Sequence, residues 1–333
     1  MAFLSHHDFQ KIVAYWRRTE IETLKSGAEG ATPGYVRLVD VMGSDEAIVR
    51  SARMSTRRGD RDFIGDTKEE AKAEGLLRYL IRHHHTTPVE TGARACFELK
   101  MPVFVYRQNF RHRSASQNLL AEEGYVAETN DTSFMRYSVN NEMSARYSEL
   151  PKEWWLPSRE DWRAQSKSNH QGSSDDVVGI DTIADSIYEL PEKAFHTYHQ
   201  LLEKGTAKEL ARCLLPNCFH TKLVWNIDLH NLFHYLGLRM HGHAQKEIRD
   251  YAEAIARIVA DIFPVSWKAF TDFRLGGMTW TKPETEVMQQ AFSYEWALQA
   301  LRMLKNKGVT KRELKEFWAK VRPGHAMPKD SEY

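Results

Sequence analysis

Ala93-Arg94-Ala95-Cys96-Phe97-Glu98-Leu99-Lys100-Met101, followed at once by Pro102-Val103-Phe104-Val105-Tyr106-Arg107-Gln108-Asn109-Phe110-Arg111-His112-Arg113, is the stretch on which the fold turns. In its first half Ala93, Ala95, Phe97, Leu99 and Met101 alternate with Arg94, Cys96, Glu98 and Lys100. A period of two lays one face of a strand on a core. In the second half Pro102 suits the first turn of a helix, where its missing N–H costs nothing. The cations Arg111, His112 and Arg113 then fall at that helix's C-terminal end. Three cations in one turn repel one another unless they face solvent or share an anion. A solvated helix end favoured by the macrodipole explains them, and so does a phosphate gripped by paired guanidinium hydrogen bonds.

Outward from this stretch, Tyr35 to Val41 reads as a strand and Asp45 to Ala52 as a short helix. Thr67 and Glu70 form a Thr-x-x-Glu capping box before the stripe Leu76, Leu77, Leu80 and Ile81, so a helix is expected to about His84. Residues 165 to 176 are polar and unpatterned, an exposed loop. A helix follows from Asp181 to Lys204, and Thr206 caps a shorter one before Pro216. Thr221 to Ile227 is a strand, and Asp228 caps a helix whose Leu229, Leu232, Phe233 and Leu236 share one face. Further helices are expected over 244–262, 266–273, 284–304 and 311–321. Residues 1–34 read as an extension with a short helix around 9–23. No repeat, coiled coil or interdomain linker is evident.

The chain has 333 residues, 42% hydrophobic and 27% charged, which excludes wholesale disorder. Lys and Arg number 46 against 45 Asp and Glu, so there is no global basic field to hold nucleic acid or an anionic membrane. Three cysteines, Cys96, Cys213 and Cys218, argue against a disulfide framework and for a reducing, cytoplasmic compartment. No signal peptide or membrane span is expected. Gly-x-Gly-x-x-Gly, P-loop and Gly-x-Ser-x-Gly motifs are absent, which argues against Rossmann, P-loop and α/β-hydrolase enzymes. His83, His84 and His85 are adjacent and diverge, so a polar helix end is favoured and no metal site is expected. Arg239, His241, His243, Gln245, Glu247 and Arg249 crowd a helix junction that is either a pocket edge or a solvated turn. Arg212 is a surface cation or an inward anion anchor.

Five ordered segments carry a resemblance: His85-Thr86-Thr87-Pro88-Val89-Glu90; Lys100 through Arg113; Asn141-Glu142-Met143-Ser144-Ala145-Arg146-Tyr147-Ser148; Ala211-Arg212-Cys213-Leu214-Leu215-Pro216; and Leu238-Arg239 with His243 to Arg249. In this order, from about Val36 to Phe273, the chain resembles the flavin-dependent thymidylate synthases. The resemblance implies a single α/β domain of the α+β type, with a mixed, mainly antiparallel sheet covered by helices. That domain is expected over 35–275, preceded by the 1–34 extension and followed by a helical tail, 276–333. It further implies reductive methylation of dUMP to dTMP, with methylenetetrahydrofolate as carbon donor, NADPH as reductant and FAD as cofactor, in a homotetramer with intersubunit sites.

By position in the family's motifs, Thr87, Arg111, His112, Arg113, Glu142, Asp228, His230 and His234 are expected to contact FAD. Gln108, Arg111, Glu142, Ser144, Arg146, Arg212 and Arg239 are expected to bind dUMP, with Arg239 as the catalytic residue that stabilises ionised N3 of the uracil. Asp228, His230 and His234 depart from the family's amide and guanidinium pattern. Thr91 and Asn109 stand where a His and a Trp are expected. The family's spacing between Arg-His-Arg and the serine is shorter by 23 residues, which places an insertion at Leu119 to Asn141. Such a loop costs little entropy, about 0.6 kcal/mol per doubling of length. Two alternatives remain: a flavin-dependent dUMP hydroxymethylase, and a catalytically silent nucleotide-binding homologue.

Overall fold

The computed structural model describes residues 3–55, 63–112, 139–167 and 172–333. They form two compact units, one reaching to Leu275 and one of residues 276–333.

In the larger unit, α1 (His6–Arg17) leads into β1 (Glu20–Thr23), β2 (Gly34–Gly43), α2 (Asp45–Met54), α3 (Thr67–Arg82), α4 (Thr87–Gly92), β3 (Ala93–Pro102) and α5 (Val103–Asn109). Then come β4 (Val139–Glu142), β5 (Arg163–Gln165), β6 (Ser173–Val177), α6 (Ala184–Glu203), α7 (Lys208–Ala211) and β7 (His220–Asp228). The unit ends with α8 (Leu229–Arg239), α9 (Lys246–Ile262) and α10 (Pro264–Phe270).

The principal sheet runs β1-β2-β3-β7-β4, and each of its pairings is antiparallel, in line with the mainly antiparallel sheet expected. The period-two reading of 93–101 explains why it holds together. Leu38 and Trp225 flank Phe97, and Val36 and Leu223 flank Leu99, in register across three strands. All six are essentially buried. Val36, Leu38, Phe97, Leu99, Leu223 and Trp225 share one core with Ile248, Tyr251, Ile255 and Val259 of α9 and Leu232, Tyr235 and Leu236 of α8. Residues 3–34 belong to this core, because Phe3, Val13, Trp16 and Leu24 are buried in it and β1 pairs with β2. The short helix there stops at Arg17, since Glu20–Thr23 joins the sheet.

Several sequence-based boundaries move for identifiable reasons. Asp66, not Thr67, caps α3, accepting from the N–H groups of Lys68 and Glu69, while Glu70 turns back to the Gly65 N–H. Residues 163–165 and 173–177 pair as a two-stranded hairpin where an unpatterned loop was expected. Ala207 rather than Thr206 precedes α7. Most of the 23-residue insertion lies outside the described residues, but its end, 139–141, joins Glu142 as edge strand β4 against β7.

Tight backbone approaches position the Thr87 segment. Gly43 (φ 76°) meets Gly92 so closely that a β-carbon would lie 1.8 Å from the Gly92 carbonyl oxygen. At Gly92 a β-carbon would fall 2.5 Å from Ile48 Cα. Only glycine admits this contact, and it seats α4 against α2 at the start of β3.

In the smaller unit, α11 (Lys282–Ala291), α12 (Tyr294–Asn306) and α13 (Lys311–Val321) enclose Ala297, Leu301, Leu314, Trp318 and Val321. The continuous helix expected over 284–304 breaks because Ser293 caps α12, its hydroxyl accepting from the Trp296 N–H at 3.1 Å. Among the described residues no helix is long and apolar enough to cross a membrane.

Asp45 is the buried polar clamp of the larger unit. Its carboxylate accepts from the Val265 N–H (2.8 Å), the Ser266 N–H (3.1 Å) and the Ser266 hydroxyl, capping α10 from across the core. Burial pushes its carboxyl up to about 6 although all three hydrogen bonds pull it down. Removing the acceptor leaves two buried N–H groups unpaired, at about 1–3 kcal/mol each. Asp45→Ala is therefore expected to lower unfolding stability by roughly 2–4 kcal/mol in urea denaturation. A loss below about 0.5 kcal/mol, the level of an ordinary surface change, would contradict the clamp.

Candidate functional site

The site is built by the β3–β7 ladder. These strands are antiparallel, with Arg94 opposite Asp228 at one end and Pro102 opposite His220 at the other. Helix α5 leaves β3 at the Pro102 end, and α8 leaves β7 at the Asp228 end. Nine residues of strand span about 30 Å. Helix α8 covers about 16 Å and α5 about 10 Å. Two helices that fold back from opposite ends over one face therefore meet at their C-terminal ends. Asp228 fixes the departure of α8, its carboxylate accepting from the Asn231 N–H at 2.9 Å and the Asn231 side-chain amide at 2.8 Å.

At the meeting point Arg239, last residue of α8, donates from Nε to His112 Nε2 at 2.7 Å and from Nη2 to the Gln108 carbonyl at 3.4 Å. The Gln108 side chain donates to Oε1 of Gln245, which precedes α9. His112 is buried and stands edge-on to the Tyr235 ring, 4.8 Å between centroids. Guanidinium has no acceptor, so His112 Nε2 must be unprotonated and its proton sits on Nδ1. Burial, then Arg239 and His234, pull the His112 pKa down to about 4.

Two helix C-termini bring partial charges of about −0.5 each. Against them stand Arg107, Arg111 and Arg239, none of which has a carboxylate within ion-pair distance among the described residues. Arg107 and Arg111 are exposed to water, while Arg239 is half-buried, so the Arg239 guanidinium is the least solvated cation of the junction and the one best placed to meet an anion. Along α8, His234 lies about one and a half turns before Arg239 and His230 about two and a half, with His234 at 6.4 Å from His112 between ring centroids.

A second group lies on the 144–148 turn and after α7. The Tyr147 N–H donates to the Ser144 carbonyl at 3.1 Å, and Lys208 Nζ donates to the Tyr147 carbonyl at 3.3 Å, which docks the turn carrying Ser144 and Arg146 on α7. Arg212 follows α7 directly, and Arg146 and Arg212 are both exposed. Glu142, on β4, accepts from the Thr221 hydroxyl at 2.7 Å. Beside it, burial and the Glu142 carboxylate push the Tyr106 hydroxyl up to about 12. Among the described residues no hydrogen bond or ion pair joins Ser144, Arg146 and Arg212 to Gln108, His112 and Arg239.

Thr87 is exposed on α4, its carbonyl accepting from the Thr91 hydroxyl at 2.7 Å. Glu90, on the same helix, is raised in pKa by burial and by Asp228. Arg113 lies outside the described residues. Among these, no group of three or more His, Cys, Asp or Glu side chains is arranged to hold a metal ion. Cys96, Cys213 and Cys218 are free thiols. Sequence reasoning missed two ties that hold the junction together: the His112–Arg239 bond and the tie from Gln108 to Gln245. Both join residues about 130 positions apart, and only the ladder geometry predicts their meeting.

Comparison with known proteins agrees with this geometry. The family described as thymidylate synthase complementing protein matches residues 37–265. The flavin-dependent thymidylate synthase of Thermus thermophilus is 39% identical over 298 residues, covering 88% of this chain and 96% of that protein. That of Ruegeria pomeroyi is 36% identical over 290 residues, covering 85% and 84%. The crystal structure of the UMP/dUMP methylase PolB from Streptomyces cacaoi, bound with 5-Br dUMP, superposes with a TM-score of 0.58 at 30% identity, covering 73% of this chain and 97% of that one. Sheet, site and relatives together establish that the chain belongs to the flavin-dependent thymidylate synthase family.

Proposed function

We propose that this protein methylates dUMP reductively to dTMP, taking carbon from methylenetetrahydrofolate and reducing equivalents from NADPH, with FAD as its cofactor. The observation that carries the reading is the uncompensated cationic junction of α5 and α8, where Arg239 is held by His112 and the Gln108 carbonyl beside Arg111. A donor set of guanidinium and imidazole groups without a competing carboxylate fits a phosphate-bearing flavin and an anionic pyrimidine. Thr87, Arg111, His112, Arg113, Glu142, Asp228, His230 and His234 would hold the flavin. When bound, it supplies the redox chemistry that connects NADPH oxidation to methyl formation. Asp228 contributes through its position, since both its carboxylate oxygens already serve Asn231.

Gln108, Arg111, Glu142, Ser144, Arg146, Arg212 and Arg239 hold dUMP. Arg146 and Arg212, both exposed, suit the phosphate. Arg239 suits the ring: its guanidinium is oriented before substrate arrives, so it stabilises negative charge at N3 without reorganising. His112 holds it there as a neutral acceptor. By the family resemblance, the protein would be a homotetramer whose sites combine residues of neighbouring subunits.

Arg239→Ala is expected to keep its flavin while turnover falls about 10²- to 10³-fold, the cost of losing one oriented donor. Unchanged turnover removes Arg239 from the mechanism. The product formed from dUMP, methylenetetrahydrofolate and NADPH is expected to have the mass of dTMP. A product heavier by one oxygen identifies a hydroxymethylase, and nucleotide binding without NADPH oxidation identifies a silent homologue.

His112 makes a separate expectation about pH. Its folded pKa, about 4, lies below the ordinary 6.5, so between these values the unfolded chain binds the extra proton. Its contribution to stability is complete above pH 6.5 and is lost as pH falls toward 4. Denaturation of wild type and His112→Gln should show the substitution costing less near pH 5 than near pH 7. A cost independent of pH would contradict a neutral, buried His112.

A further inference from the structure

Helix α12 carries apolar side chains on two sides. On one, Ala297 and Leu301 are buried with Leu314, Trp318 and Val321 of α13. On the other, about a quarter turn round, Trp296, Ala300, Met303 and Lys307 recur at steps of four, three and four, a single stripe of a helix. Trp296 and Met303 are 42% and 57% exposed. With Gln299, Leu304 and Phe317 the stripe lines a groove of about 380 Å³. Phe292 stacks on Trp296 at 4.1 Å between ring centroids, and Trp280 lies 6.1 Å from Phe292, so the aromatic surface runs on past the groove. A helix that only packs on its own core needs one apolar face. A second that is exposed and contiguous marks a surface built to be covered.

The charges beside the stripe identify what covers it. Glu295 and Arg302 are seven residues apart, two helical turns, and so lie on the same flank. Both are exposed, and among the described residues neither has an ion-pair partner; Arg302 donates to the Glu332 carbonyl at 2.8 Å. A rise of about 10 Å along the helix keeps them from each other. In an antiparallel pair of identical helices, however, equivalent flanks face one another. A two-fold axis between Gln299 and Ala300 sets Trp296 opposite the second copy's Met303 and brings Glu295 within about half a turn of the second copy's Arg302. It also sets Lys307 opposite the second copy's stacked Phe292 and Trp296, where an ammonium over aromatic faces is favourable. Ala300, the smallest member of the stripe, falls beside the axis and lets the helices approach. One operator thus satisfies the apolar seam, a cation over the rings and two reciprocal ion pairs. Complementarity to itself is what a two-fold interface requires.

We propose that α12 is a self-association face, through which two copies of this chain pair with their α12 helices antiparallel about a two-fold axis. The face belongs to residues 276–333, outside the 37–265 span of the family match, so the contact is additional to any made by the larger unit.

The test is disulfide trapping in the full chain. Gln299→Cys places a thiol beside the axis, and Ala319→Cys, on the exposed side of α13, is the control. Under mild oxidation, non-reducing denaturing gels are expected to show about tenfold more covalent dimer for Gln299→Cys than for Ala319→Cys or wild type, because the paired helices hold the thiols at high effective concentration. Wild type supplies the background from Cys213, which is exposed. Adding Glu295→Arg is expected to cut trapping about fivefold, the loss of two exposed ion pairs. Adding Arg302→Glu to that variant should restore it, since exchanging both charges preserves the match of the helix to its own copy. All four positions are exposed, so the substitutions leave the core intact. Trapping no greater than at Ala319 overturns the pairing and leaves the groove to a different protein. Trapping that ignores Glu295→Arg, or that the double exchange fails to restore, overturns the antiparallel register.

Discussion

The hydrogen bond from Arg239 to His112 is the point at which the chain's architecture becomes a site. It closes a loop of structure that starts with the antiparallel pairing of β3 and β7 and runs out along two helices that leave the ladder at opposite ends. If α5 began elsewhere than Pro102, or α8 elsewhere than Asp228, their last turns would miss each other. The core face of the ladder, from Phe97 to Trp225, exists to hold those two departures in register. Its burial stabilises the sheet, and the geometry that results concentrates positive charge where two helix dipoles offset only part of it.

A neutral histidine inside a cationic cluster is what makes this work. A charged His112 would repel Arg239 and could not accept from it. Burial against Tyr235 secures the neutral form. The guanidinium is thereby fixed in orientation by a group that leaves its charge intact, and that charge remains available to a ligand. The same device recurs at Arg274 and His84, again an arginine bonded to an imidazole nitrogen. Two buried carboxylates serve the backbone instead: Asp228 caps α8, and Asp45 caps α10.

Much of this was legible in the residues themselves. Alternation over 93–101 named the central strand, and Asp228 named the start of α8, because both signals are local and physical. The Arg-His-Arg run and the ordered segments around Arg146, Arg212 and Arg239 named the family. What local pattern could not reach was contact across the chain. The burial of Trp16 under the sheet, the Gln108 tie to Gln245 and the clamp of Asp45 on Val265 each join distant positions. Composition misled at 165–176, where a polar hairpin has too few apolar residues to show alternation, and at Ser293, where a cap hides inside a continuous apolar stripe.

The central claim is that the cationic junction serves a reducible flavin. Its most direct measurement is the visible absorption spectrum of the purified protein before and after anaerobic addition of NADPH. A flavin band that bleaches is the predicted result. Absence of a band, even after FAD is added, would contradict the account and leave the junction as an anion site without redox function.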